Sequence, residues 1–264
     1  MCGGVFLNDV VRDRYTCALP SQSERTKYAV LLNGDQERRH QNNVAHAYRS
    51  LRKLGFREEH IFVLSCNDPR PEEAARNRRG FHARASLGNL RLVFGRLSRA
   101  VDEDDLLVVY GTGHGNRENG QSILILDGDG ITAVEYRRML EGIPAQLIVN
   151  IMDQCYAGGF PEELSRSSAR VIALSGTDGK HTTSCGPYSQ TFWDAFWYPI
   201  ADANGDGAVS VRESHEYAVK NLRSLTFERS HGTYLCSSST ADAFLEGLLG
   251  GQTTPGSGIK LRFR

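Results

Sequence analysis

The sequence predicts an α/β domain whose central sheet is mainly parallel and covered by helices on both faces. Two observations predict it. Short, nearly continuous Val/Ile/Leu runs recur along the chain, and stretches with helical apolar spacing separate them. A strand buried on both faces reads as such a run, and parallel neighbours need a crossover between them, usually a helix. A chain of 264 residues, 40% of them hydrophobic, can bury the core that this architecture requires.

The elements follow in order. "KYAVLLNG", residues 27 to 34, is a short buried strand ending in the turn signal Asn-Gly. Val44, Ala47, Tyr48, Leu51 and Leu54 then recur at helical spacing, and Gly55 supplies the stop. "HIFVLS", residues 60 to 65, is the second strand, and a loop over about 66 to 82 leads to a helix near Ala85 to Val101. "DLLVVYGTGHG", residues 105 to 115, gives the third strand and its exit. "SILILDGDG" reads as a hairpin arm ending in a Gly-Asp turn, and Thr132 with Glu135 forms the capping box that opens another helix. "QLIVNIMDQC" is the fourth strand and "ARVIALSG", residues 169 to 176, the fifth.

Bulk properties exclude some functions. Lys plus Arg equals Asp plus Glu at 31 each, which removes the electrostatic case for a nucleic-acid partner. The basic cluster Arg76, Arg78 and Arg79 reads as a solvated loop. The longest apolar runs fall far short of the roughly 20 residues that cross a bilayer, so no membrane partner is expected. The first residues lack a basic n-region and a sustained apolar stretch, so the expected location is cytoplasmic. The six cysteines have neither metal-ligand spacing nor the density of a disulfide scaffold, and most are expected to be reduced.

Chemistry concentrates at two strand exits. In open α/β sheets, ligands bind outside the carboxyl ends of the strands. His114 and Cys155 both lie there, just past the third and fourth strands. A thiol kept for packing belongs inside an apolar run, whereas Cys155 sits where the run gives way to Ala157, Gly158 and Gly159. Small residues let a substrate backbone approach, and a helix N-terminus following the thiol would favour its thiolate. His114, flanked by Gly113 and Gly115, can protonate a leaving amine, and the backbone N–H groups of Gly115 and Cys155 can hold an oxyanion.

The segments "YGTGHGN" and "DQCYAGG", together with "NGDQERRHQNNVAHAY" at 33 to 48, resemble the legumain-like cysteine peptidases, in the clan that also holds caspases, metacaspases and gingipains. The resemblance covers roughly residues 27 to 200 and implies a caspase-like three-layer sandwich. It implies Cys155 as nucleophile, His114 as catalytic histidine, Arg39 and Asp153 as specificity-pocket residues, and "ALSGTD", with Ser175, as a wall for an extended substrate. Two departures stand out. Glu37 occupies the place where the family often has an asparagine orienting the histidine, and Asp153 replaces the glutamate of legumain. The shorter acid is similar to the metacaspase pocket that selects Arg or Lys, so Asn/Asp and Arg/Lys preferences both remain open. The chain is expected to lack legumain's inhibitory C-terminal domain.

"DANGDGAVSVRE" carries a separate chemistry. Asp202, Asn204 and Asp206 stand at loop positions one, three and five, Gly207 at six, Ala208 at seven, Ser210 at nine and Glu213 at twelve. This is the EF-hand ligand pattern and predicts one bound Ca2+. An aromatic helix before it (Phe192, Trp193, Phe196, Trp197) and a helical stretch after it (Tyr217, Val219, Leu222, Leu225) fit a helix-loop-helix element.

The expected organisation is an N-terminal extension over 1–26, a caspase-like peptidase domain over 27–250 containing the calcium segment 190–225, and a tail over 251–264. The expected activity is a cysteine endopeptidase acting on proteins or peptides, with a regulatory protein or self-processing as possible controls. Its alternatives are a transpeptidase of the same family and a calcium-binding interaction module on an inactive scaffold.

Overall fold

The computed structural model describes residues 25–66, 81–183, 187–225 and 234–237. The 1–26 extension, the 251–264 tail and the arginine cluster at 76–79 lie outside the described residues, apart from residues 25 and 26.

A seven-stranded sheet forms the centre, in the order β10-β9-β8-β4-β1-β2-β3. Its strands are β1 Lys27–Asn33, β2 Ile61–Ser65, β3 Phe81–Ala83, β4 Leu106–Thr112, β8 Leu147–Asp153, β9 Val171–Ser175 and β10 Tyr234–Ser237. Six run parallel, and β10 pairs antiparallel with β9 at one edge. The expected five strands are all present. Between β4 and β8 the chain forms a separate three-stranded antiparallel ribbon, β5 Gly115–Glu118, β6 Gln121–Ile125 and β7 Gly130–Thr132, whose Leu124 and Ile131 pack into the core of the main sheet.

Helices α1 Arg38–Lys53, α2 Leu87–Ala100, α3 Ala133–Leu140, α4 Gly159–Leu164, α5 Pro187–Asp194 and α6 Val211–Leu225 cover the sheet. Every residue of β4 and β8 is buried, as strands covered on both faces must be. Alternation along those strands divides the core in two. Leu106, Val108, Tyr110, Leu147, Val149 and Ile151 join the cluster under α1, α5 and α6. Leu107, Val109, Ile148 and Met152 join the cluster with residues of α2, α3 and α4. The result is a three-layer α/β sandwich, consistent with a caspase-like fold.

Helix α3 starts where the capping box placed it: the Thr132 hydroxyl accepts from the Glu135 N–H, and the Glu135 carboxylate accepts from the Thr132 N–H. No helix among the described residues is long and apolar enough to cross a membrane.

The sheet order reverses between β1 and β4. From β1 the chain passes through α1 to β2 on one side, while β4, β8 and β9 follow on the other. The loops after β1 and β4 therefore part above a shared crevice, the position at which such sheets bind ligands.

Candidate active site

The β4–β8 register pairs Thr112 with Asp153, so His114 and Cys155 each stand two residues past a matched pair on adjacent parallel strands. Backbone contact confirms the closeness of the two exits. A Cβ placed on Gly115 would meet the Cys155 carbonyl oxygen at 2.0 Å and the Gln154 Cγ at 2.8 Å. Only glycine lets the residue after His114 lie against the carbonyl of Cys155. Gly34, after β1, is pressed in the same way against the Ile125 carbonyl oxygen, at 2.0 Å from its virtual Cβ. Three chain segments thus converge through side-chain-free backbone.

The ribbon orients Gly115. Ile125 N–H donates to the His114 carbonyl at 3.0 Å, which makes His114 and Ile125 a hydrogen-bonded pair and the next pair, Gly115 with Leu124, a non-hydrogen-bonded one. The two-residue turn at Asn119 (φ 51) and Gly120 (φ 81) sets that register. The Gly115 N–H is consequently not used by the ribbon ladder.

His114 is half exposed, and its Nε2 lies 3.1 Å from an Asp35 carboxylate oxygen and 3.6 Å from one of Glu37. Glu37 does face the histidine, but Asp35 is nearer. Asp35 is held in turn, by accepting from the Glu37 N–H. Beneath them His40 is fully buried and its Nδ1 sits 2.7 Å from the Thr112 hydroxyl. Burial, with the Arg39 charge adding to it, moves the His40 imidazole below its ordinary range.

Cys155 is partly exposed. Its Sγ accepts from the Thr183 N–H at 3.4 Å and faces the Thr183 carbonyl at 3.5 Å, so the segment after β9 lies across the thiol. The next residue, Tyr156, has φ 58, an uncommon conformation for a bulky side chain, and donates its N–H to the His181 carbonyl at 2.9 Å. Strained backbone of this kind collects at functional turns. Helix α4 begins four residues beyond Cys155.

Asp153 lies buried at the end of β8. The Ser189 hydroxyl donates to it and accepts from the Tyr110 hydroxyl at 2.6 Å. Burial pushes the Asp153 carboxyl up, opposed by the bonds from Ser189 and by the Arg39 charge. Gly176 and Tyr188 close around it: a Cβ on Gly176 would stand 2.6 Å from the Asp153 carboxylate. Arg39, half exposed on the first turn of α1, pairs with Glu37 at 2.8 Å. Arg39 and Asp153 therefore belong to one electrostatic neighbourhood, on the sheet face covered by α1 and α5. Ser175 is buried with its hydroxyl donating to the Thr177 carbonyl at 2.8 Å. Its side chain is thus committed inward, and any contact it makes with a ligand is through its backbone.

Away from this crevice, loop 202–213 is tied together by hydrogen bonds from its backbone to its own side chains. Asp202 accepts from the N–H groups of Gly205, Asp206 and Gly207 at 2.9, 3.2 and 2.8 Å. Gly207, at the sharp turn, has φ +82. Asn204 accepts from Asp206, and Asp206 from Ala208. Glu213 reaches back to the N–H groups of Asn204 and Ser210 at 3.2 and 2.8 Å while Ser210 caps α6. Short oxygen side chains at alternate positions, the Ala208 carbonyl and a distant carboxylate form an all-oxygen donor set that fits Ca2+. The flanks differ from a regular pair of helices: α5 ends at Asp194, and short 3₁₀ turns, Ala195–Trp197 and Pro199–Ala201, lead into the loop.

No family model matches the chain. It is 27% identical over 197 residues to a vacuolar-processing enzyme of Vicia sativa, covering 61% of this chain and 39% of that protein. It is 30% identical over 135 residues to metacaspase-4 of Arabidopsis thaliana, covering 46% of this chain and 30% of that protein. The distant relatives are caspase-like peptidases. In the region of overlap the chain spans about two fifths or less of their lengths. The crystal structure of a Geobacter sulfurreducens protein superposes with a TM-score of 0.55 at 11% identity, over 81% of this chain and 93% of that one, a likeness of fold.

Proposed function

We propose that the chain is a cysteine endopeptidase working through Cys155 and His114. The observation that carries this reading is the packing of Gly115 against the Cys155 carbonyl, which brings the histidine loop and the thiol to one crevice. In the proposed reaction an extended substrate replaces Thr183 at the sulfur. The Cys155 thiol passes its proton to His114 as its Sγ attacks the scissile carbonyl carbon, and the N–H groups of Gly115 and Cys155 hold the oxygen that becomes negative. As the tetrahedral species collapses, the C–N bond breaks and His114 gives its proton to the leaving amine, leaving a thioester. Water, deprotonated by His114, then attacks the thioester and releases the acid and the free thiol. Asp35 and Glu37 hold the imidazole in place. Hydrolysis of a peptide library, followed by mass spectrometry of the products with and without an added amine, tests the reading. Acid products sustain it, amide-linked products reassign the chain to transpeptidation, and no turnover contradicts it.

Charge favours a basic residue on the acyl side of the cleaved bond. Among the described residues of the crevice, the carboxylates of Asp35, Glu37 and Asp153 are set against the guanidinium of Arg39, which Glu37 already engages, while Asp35 lies against His114. A positional-scanning library is expected to show Arg or Lys preferred at least tenfold over Asn or Asp, and Asp153→Ala to abolish that preference. Asn/Asp preference in the native chain would contradict the assignment.

We further propose that loop 202–213 binds one Ca2+. Ligand linkage then raises stability by about 2.7 kcal/mol at a free concentration 100 times Kd. For a chain of this size that is a rise of roughly 5 to 11 °C in Tm. Glu213→Gln keeps a side chain able to cap α6 but removes the charge, so the variant is expected to fold and to lose most of the calcium-dependent shift. Equal Tm values in calcium and in chelator for the native protein would contradict the proposal.

A further inference from the structure

Asp35, Glu37 and His40 offer ligand atoms that all lie within 4.8 Å of one another. Acidic groups alone would mean little, but His40 adds an independent sign. It is 0% exposed, and its Nε2 has no hydrogen-bond partner. The other ring nitrogen, Nδ1, is 2.7 Å from the Thr112 hydroxyl. A buried imidazole with one nitrogen hydrogen-bonded and the other bare is the arrangement in which histidine is held as a metal ligand. Leaving a buried polar atom unsatisfied costs about 1–3 kcal/mol, so the bare nitrogen calls for an occupant. The His114 ring stands 6.1 Å from that of His40, centroid to centroid, and its Nε2 is already 3.1 Å from Asp35.

We propose that Asp35, Glu37 and His40 form an inhibitory site for a zinc-class divalent ion, directly beside His114. One imidazole and two carboxylates are an N/O set of the kind zinc accepts in a tetrahedral site with its fourth position open, whereas Ca2+ and Mg2+ favour oxygen alone. Arg39, which pairs with Glu37, opposes the ion and must release that carboxylate when it binds. No bond is made or broken in the chain: the ion takes over the Asp35 and Glu37 carboxylates that hold the His114 Nε2 and sets a positive charge beside the imidazole, which then no longer takes up the proton it gives to the leaving amine. Peptide hydrolysis therefore stops and returns when a chelator removes the ion. The inhibitory consequence rests on the peptidase reading, while the ion site does not.

The test titrates zinc chloride into the full chain by isothermal titration calorimetry, with saturating Ca2+ present to occupy loop 202–213. One zinc per chain is expected, with equal affinity in Cys155→Ala and an affinity at least tenfold weaker in both His40→Gln and Asp35→Asn. Cobalt(II) in place of zinc is expected to give the visible d–d bands of a tetrahedral centre. Asp35 is nearer the surface, so its variant keeps the test decisive should buried His40→Gln not fold. Absence of saturable binding, unchanged affinity in Asp35→Asn, or loss of binding in Cys155→Ala would each overturn the proposal, the last by assigning the ion to the thiol. A native chain that binds zinc as described yet cleaves no peptide would sustain the site and sink the peptidase reading alone.

Discussion

Replacement of Cys155 by alanine is expected to lower kcat/KM by at least ~10⁴-fold, or about 5.4 kcal/mol of transition-state stabilisation. In the proposed reaction the acyl group is carried by the Cys155 sulfur, so what remains is the residual catalysis of the oxyanion site and binding. His114→Ala is expected to cost a similar factor, and the double variant little more than either single one, because the two act as a unit. Stability should hardly change. Cys155 is only partly buried, and its sulfur makes weak contacts with the Thr183 backbone at 3.4 and 3.5 Å. Steady-state kinetics paired with thermal melting separates the outcomes. Activity retained within tenfold would remove Cys155 from the chemistry, and a collapse of Tm would recast the residue as structural.

Gly115→Ala is expected to reduce kcat/KM by roughly 10²- to 10³-fold, the loss typical of one oxyanion donor. The new Cβ would fall 2.0 Å from the Cys155 carbonyl oxygen and 3.0 Å from its carbon, and backbone cannot rotate aside as a side chain can. The histidine loop and the thiol must separate, or the ribbon must shift. Overpacking of this kind also costs about 1–3 kcal/mol of stability. Gly95→Ala is the matched control. Gly95 lies within α2 with nothing inside 4 Å of its virtual Cβ, so alanine there should raise stability by up to ~1 kcal/mol and leave turnover unchanged. Equal activity in the two variants would mean that the approach of Gly115 to Cys155 has no catalytic role.

Much of this arrangement was legible in the residues, for physical reasons. Strands buried on both faces must be apolar throughout, so β1, β2, β4, β8 and β9 announced themselves as runs. The Thr132 cap was legible because both of its hydrogen bonds are local in sequence. Helix α1 begins at Arg38, well before the apolar spacing that starts at Val44, because its first turns bury polar His40 and Asn43 and carry no apolar rhythm. The turn at Asn119 and Gly120 bore a hairpin signal that the apolar reading of "SILIL" passed over. The aromatic helix before loop 202–213 stops at Asp194 in favour of 3₁₀ turns, a change of period that the apolar spacing does not mark.

The site divides in the same way. His114, Cys155 and Asp153 could be placed from strand exits and motif, whereas Asp35 became visible only through the adjacency of β1 and β4. Its signal was slight, an acidic residue directly after the Asn33-Gly34 turn. Tyr110 and Ser189, which support Asp153, are 79 residues apart and share no local pattern at all.

The most direct test of the Cys155–His114 pair is the rate at which iodoacetamide alkylates each cysteine at pH 7, read by peptide mass spectrometry. Cys66 is the internal reference, since burial pushes its thiol up to about 11 and keeps it unreactive. The pair predicts Cys155 labelling at least tenfold faster than Cys66 in the native chain, with most of that advantage lost in His114→Ala. Equal rates at the two cysteines, or a Cys155 rate indifferent to His114, would contradict it.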